Sequence, residues 1–107
     1  MRVAQTALTA ALLLALPCRA VWAQAAGQSS LDVNQLFATT CGWCHSDGGR
    51  TPGKGPQLMD TKRSDDFIRY RIKHGKEGAM PAFGAALTDA DIDKIIVYIH
   101  ALKPSDS

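Results

Sequence analysis

Two cysteines and a histidine stand within five residues of one another, in the run Cys41-Gly42-Trp43-Cys44-His45. The spacing Cys-x-x-Cys-His is that of covalent haem attachment, in which two thiols bond the two vinyl groups of the porphyrin and the adjacent imidazole ligates the iron. One turn of chain presents both sulfurs to one edge of the ring, and the histidine follows at once. These residues predict one covalent haem c, attached through Cys41 and Cys44 and ligated by His45.

Three other chemistries use similar residues. A redox-active dithiol also contains Cys-x-x-Cys, but in a βαβ setting that this sequence does not indicate. A zinc site needs further ligands at comparable spacing, and the chain has no second Cys pair. A disulfide between Cys41 and Cys44 would close too short a loop to stabilise the fold appreciably. Haem attachment is favoured, and the dithiol and the zinc site are the alternatives.

The residue in the other axial position decides what the iron does. The candidates are Met80, Met59, His74 and His100. Met80 lies before a proline in a turn-rich stretch, outside the apolar helix patterns, and its soft thioether would stabilise ferrous iron. Met80 is therefore the favoured second ligand. Met59 is expected to pack against the porphyrin, His74 to lie at a helix end, and His100 to lie on the surface.

The first 23 residues have the features of a secretory signal peptide. Arg2 supplies a positive start, residues 3–16 are apolar, and small residues precede a cleavage point after Ala23, with Ala25 as the alternative. The apolar stretch is short for a membrane span, although an uncleaved anchor is a second interpretation. Because haem attachment in bacteria takes place outside the cytoplasmic membrane, the export signal agrees with the Cys-x-x-Cys-His motif. The predicted product is a soluble periplasmic protein.

The remaining chain, about 84 residues after a cut at Ala23, is long enough for one small domain. We assign the domain to residues 31–104, between tails at 24–30 and 105–107. A domain of this size has difficulty building a sufficient apolar core, and a covalent porphyrin would fill its centre. Charge is uneven, since residues 50–76 carry eight basic and three acidic side chains and residues 77–107 carry two basic and five acidic ones. This charge dipole is not that of a nucleic-acid-binding protein.

Hydrophobic spacing and capping residues predict three helices joined by two long loops. The expected N-caps are Ser30, Ser64 and Thr88, with Asp91 completing a capping box in the third helix. The second helix is expected to end at Gly75. Residues 47–60 and 78–84 are rich in Gly and Pro, which argues against regular elements there. Loops of this length in a small domain are usually functional, and here they would enclose the haem.

Four short motifs occur in the order found in class I cytochromes c. They are Phe37-x-x-x-Cys41-x-x-Cys44-His45, Gly55-Pro56-x-Leu58, Gly78-x-Met80-Pro81-x-Phe83, and Ile95-x-x-Tyr98-Ile99 in the last helix. Over residues 31–103 the chain therefore resembles this family. The resemblance implies an all-α fold with three main helices and long loops around one covalent haem.

The resemblance also implies roles for individual residues. The Pro56 carbonyl would accept a hydrogen bond from the ring nitrogen of His45 that does not bind iron. Leu58 and Phe83 would pack on the porphyrin, and Phe37 and Tyr98 would meet where the first and last helices cross. The complete expected cofactor-binding set is Cys41, Cys44, His45, Pro56, Leu58, Met80 and Phe83, with His45 and Met80 on the metal.

An iron held on both sides by protein has no open position for a substrate. The resemblance implies a monomeric one-electron carrier and not an enzyme, docking briefly with a dehydrogenase donor and an oxidase or reductase acceptor. Residues 50–76 would contribute to docking or neutralise the haem propionates. Residues 62–67 are similar to those of small cytochromes that serve quinoprotein alcohol dehydrogenases, which would make such an enzyme the donor. The alternatives are a subunit held permanently on a dehydrogenase and a small haem peroxidase.

Overall fold

The structure, a computed structural model, describes residues 29–106, and these residues form an all-α fold. Helix α1 spans Val33–Thr39, α2 spans Asp65–His74 and α3 spans Asp89–Ala101, with 3₁₀ turns at Cys41–Trp43 and Asp47–Gly49. Within this range the prediction of three helices and two long loops is confirmed, and none of the helices is long and apolar enough to cross a membrane. The predicted signal peptide, its cleavage point and most of the 24–30 tail lie outside the described residues.

Helix α1 begins two residues later than the sequence predicted. Its N-cap is Asp32, whose Oδ1 accepts a hydrogen bond from the Gln35 backbone N–H at 3.1 Å. The expected cap, Ser30, stays outside the helix. A carboxylate at this position both satisfies a free N–H and suits the positive end of the helix dipole, so Asp32 is the better cap. The Ser30 prediction was therefore wrong, although the helix itself is present.

The other two helices begin as predicted. Ser64 Oγ accepts from the Phe67 N–H at 3.2 Å, and α2 ends at Gly75, where φ is 67°. Thr88 Oγ1 accepts from the Asp91 N–H at 3.1 Å, while Asp91 Oδ2 accepts from the Thr88 N–H at 2.8 Å. These reciprocal bonds form the capping box of α3.

The loop at residues 47–60 is more regular than predicted. It opens with the 3₁₀ turn at Asp47–Gly49, and the Gly49 carbonyl then accepts hydrogen bonds from the backbone N–H groups of Leu58 and Met59 at 2.8 and 3.0 Å. The two ends of the loop are therefore held together. Gly49 is buried and has a φ of 96°, a conformation that glycine adopts with little strain.

The core lies between the three helices and is built mainly from isoleucine. Its buried members are Phe37, Ile68, Ile72, Ile92, Ile95, Ile96 and Ile99. Helices α1 and α3 meet where the Phe37 and Tyr98 rings stack with centroids 4.5 Å apart, as expected from the resemblance. The Tyr98 hydroxyl also donates to the Gly48 carbonyl at 2.8 Å. This bond ties the helix crossing to the segment that follows His45.

Two ion pairs join basic side chains of α2 to acidic side chains of α3. Arg69 Nη2 lies 2.6 Å from Asp93 Oδ1, and Lys73 pairs with Asp89. Water and salt screen exposed pairs of this kind, so their main consequence is for the distribution of charge. Two cations of the basic segment are already paired within the molecule.

Hydrogen bonds connect the residues that precede α1 to the N-terminal part of α3. Ser29 Oγ hydrogen-bonds to Asp91, and the Lys94 ammonium donates to the carbonyls of Ser29 and Leu31, each at 2.9 Å. The hydrogen bond from Ser29, followed by those from Thr88, holds the pKa of the Asp91 carboxyl below its ordinary value of 3.8. A carboxyl with a lowered folded-state pKa stabilises the fold at pH values above its unfolded pKa, and this contribution is lost as the pH falls through the folded-state pKa.

We expect Asp91→Asn to reduce the acid dependence of unfolding. At pH values above 3.8 the variant should unfold at a lower temperature than the wild type. The two melting curves should converge as the pH falls below 3.8 and through the folded-state pKa of Asp91, where the wild-type carboxyl becomes protonated. The measurement is the thermal midpoint by circular dichroism as a function of pH. Ser29→Ala, which removes one of the bonds, should give an intermediate profile. A constant difference between wild type and Asp91→Asn at every acidic pH would contradict this account.

Candidate functional site

A cavity of about 680 Å³ opens between the helices and the two loops. This volume lies within the roughly 300–1,000 Å³ typical of cofactor and small-molecule sites. The structure brings together at its wall all seven residues expected to bind the cofactor, namely Cys41, Cys44, His45, Pro56, Leu58, Met80 and Phe83. Buried core residues complete the apolar part of the wall, including Phe37, Ile68, Ile72, Ile95 and Ile99.

The attachment segment is one tight turn that follows α1. The N–H groups of Cys44 and His45 both donate to the Cys41 carbonyl, at 3.2 and 3.0 Å. Gly42 lies so close to the Phe37 carbonyl that a side chain at this position would overlap it. The turn places both thiols and the imidazole at the cavity, as the spacing of the motif predicted. Trp43, between the two cysteines, is 82% exposed and does not contribute to the wall.

The structure of this turn does not favour either alternative, the redox dithiol or the zinc site. Burial raises the pKa of the Cys41 thiol, whereas a reactive dithiol depends on a lowered pKa. Over residues 29–106 no group of three or more His, Cys, Asp or Glu side chains is arranged to hold a zinc ion. The paired thiols instead share the cavity with a single imidazole.

His45 is oriented by a hydrogen bond from the opposite loop. Its Nδ1 lies 2.8 Å from the Pro56 carbonyl oxygen. A carbonyl can only accept, so Nδ1 carries the hydrogen and the Nε2 lone pair is left free to ligate a metal. Gly55 packs against the same ring, since a Cβ there would come within 2.7 Å of His45 Cε1. The ring is thereby held between its own turn and the Gly55–Pro56 segment.

Met80 lies in a short loop that is closed by hydrogen bonds between its own backbone groups. Lys76 and Met80 exchange both of their backbone hydrogen bonds, each at 2.8 Å, and the Ala79 N–H donates to the Lys76 carbonyl at 2.9 Å. The loop is anchored to α2 through the Phe83 N–H, which donates to the Ile72 carbonyl at 2.9 Å. These backbone hydrogen bonds hold the loop that contains Met80. Its side chain lines the same cavity as His45.

The other ligand candidates lie elsewhere. Met59 does not line the cavity, whereas its neighbour Leu58 does, so the cavity wall does not support the expectation that Met59 packs on the cofactor. His74, at the end of α2, is exposed and stacks on Tyr70 with ring centroids 4.2 Å apart. His100 is on the surface as predicted, 2.6 Å from Asp65 Oδ1.

Several cations at the cavity were not identified individually from the sequence. They are Lys54, Lys62, Arg63, Arg71 and Lys76, and none of the acidic residues between 29 and 106 lines the cavity alongside them. The excess of basic residues between 50 and 76 is visible in the sequence, but the choice of those that face the cavity depends on packing. The helical register of α2 brings Arg71 to the wall and Arg69 to α3.

The donor set fits a haem c. Two thiols suit the two vinyl groups, the oriented imidazole and the thioether are ligands that iron accepts, and the apolar wall suits a porphyrin. The basic residues oppose the two carboxylates that the porphyrin carries. No feature of the cavity wall conflicts with the group.

Comparison with known proteins agrees with this fit. A family model described as "Cytochrome C oxidase, cbb3-type, subunit III" matches residues 30–99. Cytochrome c6 of Parathermosynechococcus lividus is 35% identical over 71 residues, covering 61% of this chain and 80% of that protein. The cbb3-type cytochrome c oxidase subunit FixP of Rhizobium etli is 31% identical over 74 residues, covering 64% of this chain and 26% of that protein.

The solved structure of the dihydro-heme d1 dehydrogenase NirN in complex with DHE is also similar. The TM-score is 0.58 and the identity 28%, over 69% of this chain and 17% of that one. This chain spans about a quarter of FixP and less than a fifth of NirN, but most of the cytochrome c6. The chain belongs to the family of the matching model and is a class I c-type cytochrome, whose cofactor is an iron-containing haem c.

Proposed function

We propose that the protein is an exported one-electron carrier whose haem iron is ligated by His45 and Met80. The observation that carries this proposal is that both side chains line one cavity although 35 positions separate them in the sequence. One is oriented by Pro56 and the other is carried by a backbone-paired loop. The haem supplies the ferric/ferrous couple.

The surrounding residues support electron transfer without substrate binding. The Pro56 carbonyl keeps Nδ1 of His45 protonated and makes the ring a better donor to the metal. The Met80 thioether favours ferrous iron and raises the potential. Leu58 and Phe83 lie half-buried at the cavity wall and limit the access of water. His45 and Met80 together would leave the iron no vacant position for a substrate, which would make the exchange of electrons outer-sphere.

Export to the periplasm is supported by the first 23 residues. Their positively charged N-terminus, their apolar stretch, and the tolerated Val21 and small Ala23 at the −3 and −1 positions of the cleavage point are those of a signal peptide. The mass of the protein recovered from a periplasmic fraction would identify the mature N-terminus. Recovery of the full-length chain in the cytoplasm would contradict export.

The partners we propose are a dehydrogenase donor, with a quinoprotein alcohol dehydrogenase as the specific candidate, and a terminal oxidase or reductase acceptor. The FixP relative is named as an oxidase subunit, which supports the acceptor class. The carrier would be a monomer that docks through a small interface, with the cations around the cavity steering an acidic partner surface.

The direct test is the visible spectrum of the purified protein, oxidised and reduced, with and without added imidazole. We expect the spectrum of a six-coordinate low-spin haem c that imidazole alters little. A high-spin ferric spectrum that changes readily with imidazole would contradict His45/Met80 ligation and favour the peroxidase alternative.

A permanently bound subunit is the second candidate. It is favoured by the similarity to FixP and NirN, in which the matched region is a minor part of a larger protein. Size-exclusion chromatography of the native periplasm distinguishes the two. A free carrier elutes near the size expected from 11.5 kDa less its signal peptide, and a subunit elutes with its enzyme.

A further inference from the structure

Trp43 is the most exposed large apolar side chain among residues 29–106. It is 82% exposed, compared with 59% for Tyr70 and 68% for Val97. Cys41 and Cys44, on either side of it in the sequence, line the cavity, whereas Trp43 does not. Single exposed apolar residues are common, but tryptophan is among the side chains most enriched in binding hot spots. Its place on the attachment turn indicates a contact surface close to the cofactor.

The turn that carries Trp43 is held in one conformation by the fold itself. The Cys44 N–H donates to the Cys41 carbonyl at 3.2 Å, and Gly42 lies directly against the Phe37 carbonyl. Tryptophan has only two side-chain torsions, so ordering it at an interface costs little conformational entropy. The indole is therefore preorganised for contact with another molecule.

The surface around Trp43 carries no formal charge. Residues 33–46 contain no Asp, Glu, Lys or Arg, and their one histidine, His45, lies at the cavity wall. Thr40 precedes Trp43 by three residues in the 3₁₀ turn, a spacing that brings two side chains to the same side. An aromatic centre with few charges is typical of the core of an interface. We use the name uncharged face for the exposed residues of this run, Asn34, Gln35, Ala38, Thr39, Thr40 and Trp43.

Charge determines which partner the uncharged face suits. The cations that line the cavity have no acidic residue beside them within residues 29–106, so two copies of the protein would repel one another at the cavity mouth. The uncharged face is free of this repulsion. In a two-fold symmetric contact the same surface serves on both sides, and two Trp43 indoles can stack on each other. The uncharged face therefore suits a second copy of the chain better than the cavity mouth does.

We propose that Trp43 is the central contact of a short-lived complex between two copies of the protein, in which one electron passes from a reduced copy to an oxidised one. Cys41 and Cys44 attach the haem on either side of the indole, so this contact brings the two attachment edges together. One ferrous iron becomes ferric and one ferric iron becomes ferrous, with no proton transfer and no co-reactant. A small interface of this kind dissociates readily. The proposal rests on the one-electron carrier function proposed above.

The rate of electron self-exchange, measured by NMR on mixtures of reduced and oxidised protein, tests the contact. We expect Trp43→Ala to lower the second-order rate constant about tenfold, because loss of an aromatic hot spot weakens the complex. Tyr70→Ala is the matched control, since it removes an exposed aromatic ring outside the uncharged face, and it should leave the rate constant unchanged. In the fully reduced wild type, the Trp43 indole signal should broaden with protein concentration, which reports the contact independently of electron transfer.

Charges introduced at Thr40 test whether the partner is a second copy. The Thr40 side chain makes no capping hydrogen bond, so its replacement spares the turn. Thr40→Lys and Thr40→Glu should both slow self-exchange at low ionic strength, because each places like charges on the two sides of the contact, and added salt should restore both rates. Reduced Thr40→Lys mixed with oxidised Thr40→Glu should exchange faster than either variant alone. Val97→Lys and Val97→Glu, which make the same charge changes at an exposed position of α3, should have smaller effects.

Two results would overturn the proposal. The first is an equal self-exchange rate in Trp43→Ala and Tyr70→Ala. The second is an opposite effect of Thr40→Lys and Thr40→Glu, which would indicate that the contact surface is charged. If Trp43→Ala disturbs haem attachment, the Thr40 variants carry the test. Failure of the proposed function is distinguishable, because it would appear as a wild-type haem that ascorbate does not convert from the ferric to the ferrous form.

Discussion

Replacing Met80 by alanine is expected to open one axial position of the haem iron. The shortened side chain cannot reach the metal, and the backbone pairing between Lys76 and residue 80 offers no substitute donor. The ferric protein should become high-spin and should bind added imidazole. Loss of the thioether also removes a ligand that favours ferrous iron, so the midpoint potential should fall by a fraction of the roughly 0.8 V that axial ligands span, on the order of 0.2 V.

Met59→Ala is the matched control for Met80→Ala. Both changes remove a half-buried methionine from a loop, but Met59 does not line the cavity. Its spectrum, imidazole affinity and potential should remain those of the wild type. The measurements are an imidazole titration followed by visible absorption and a redox titration of both variants. An unchanged low-spin spectrum in Met80→Ala would show that Met80 is not the ligand.

The attachment segment could be predicted from sequence because its chemistry is local. Cys41, Cys44 and His45 lie in a single turn, in which the backbone N–H groups of Cys44 and His45 both donate to the Cys41 carbonyl. Their placement at one wall follows from spacing alone. The caps Ser64 and Thr88 were predictable for the same reason, since each bonds to an N–H only three residues away. Features of this kind need no knowledge of the rest of the fold.

Choices between neighbouring residues were less predictable. Ser30 and Asp32 are both good N-caps, and the sequence pattern did not decide between them. Met59 and Leu58 both follow the glycines and prolines of the loop. Their backbone N–H groups both donate to the Gly49 carbonyl, yet only Leu58 lines the cavity, so the choice depends on how the closed loop packs.

Which cations of the basic segment face the cavity could not be predicted from its charge alone. The sequence shows an excess of cations between residues 50 and 76, but α2 divides them between two sides. Arg69 and Lys73 pair with acidic residues of α3, and Arg71 turns to the cavity. Long-range packing of α2 on α3 makes this division, so the net charge of the segment does not show which cations line the cavity.

A substitution at Gly75 is expected to disturb the Met80 loop without touching Met80 itself. Gly75 ends α2 with φ 67° and ψ −162°, a region that is essentially restricted to glycine. A Cβ at this position would overlap the Met80 carbonyl oxygen and would lie 2.6 Å from the Pro81 carbonyl carbon. These are backbone atoms, so they cannot move aside by a change of rotamer, and the loop itself must shift.

Gly75→Ala should therefore weaken the iron ligand as well as the fold. Gly78→Ala is the matched control, because Gly78 has a similar φ of 71° but a Cβ added there would have no neighbouring atom within 4 Å. We expect about 1–2 kcal/mol of destabilisation for Gly78→Ala, from backbone strain, and about 3 kcal/mol or more for Gly75→Ala, from strain plus overlap. Only Gly75→Ala should bind imidazole more tightly than the wild type. Chemical unfolding gives the stabilities and the imidazole titration the ligand strength; equal imidazole affinities in the two variants would mean that Gly75 does not control the position of Met80.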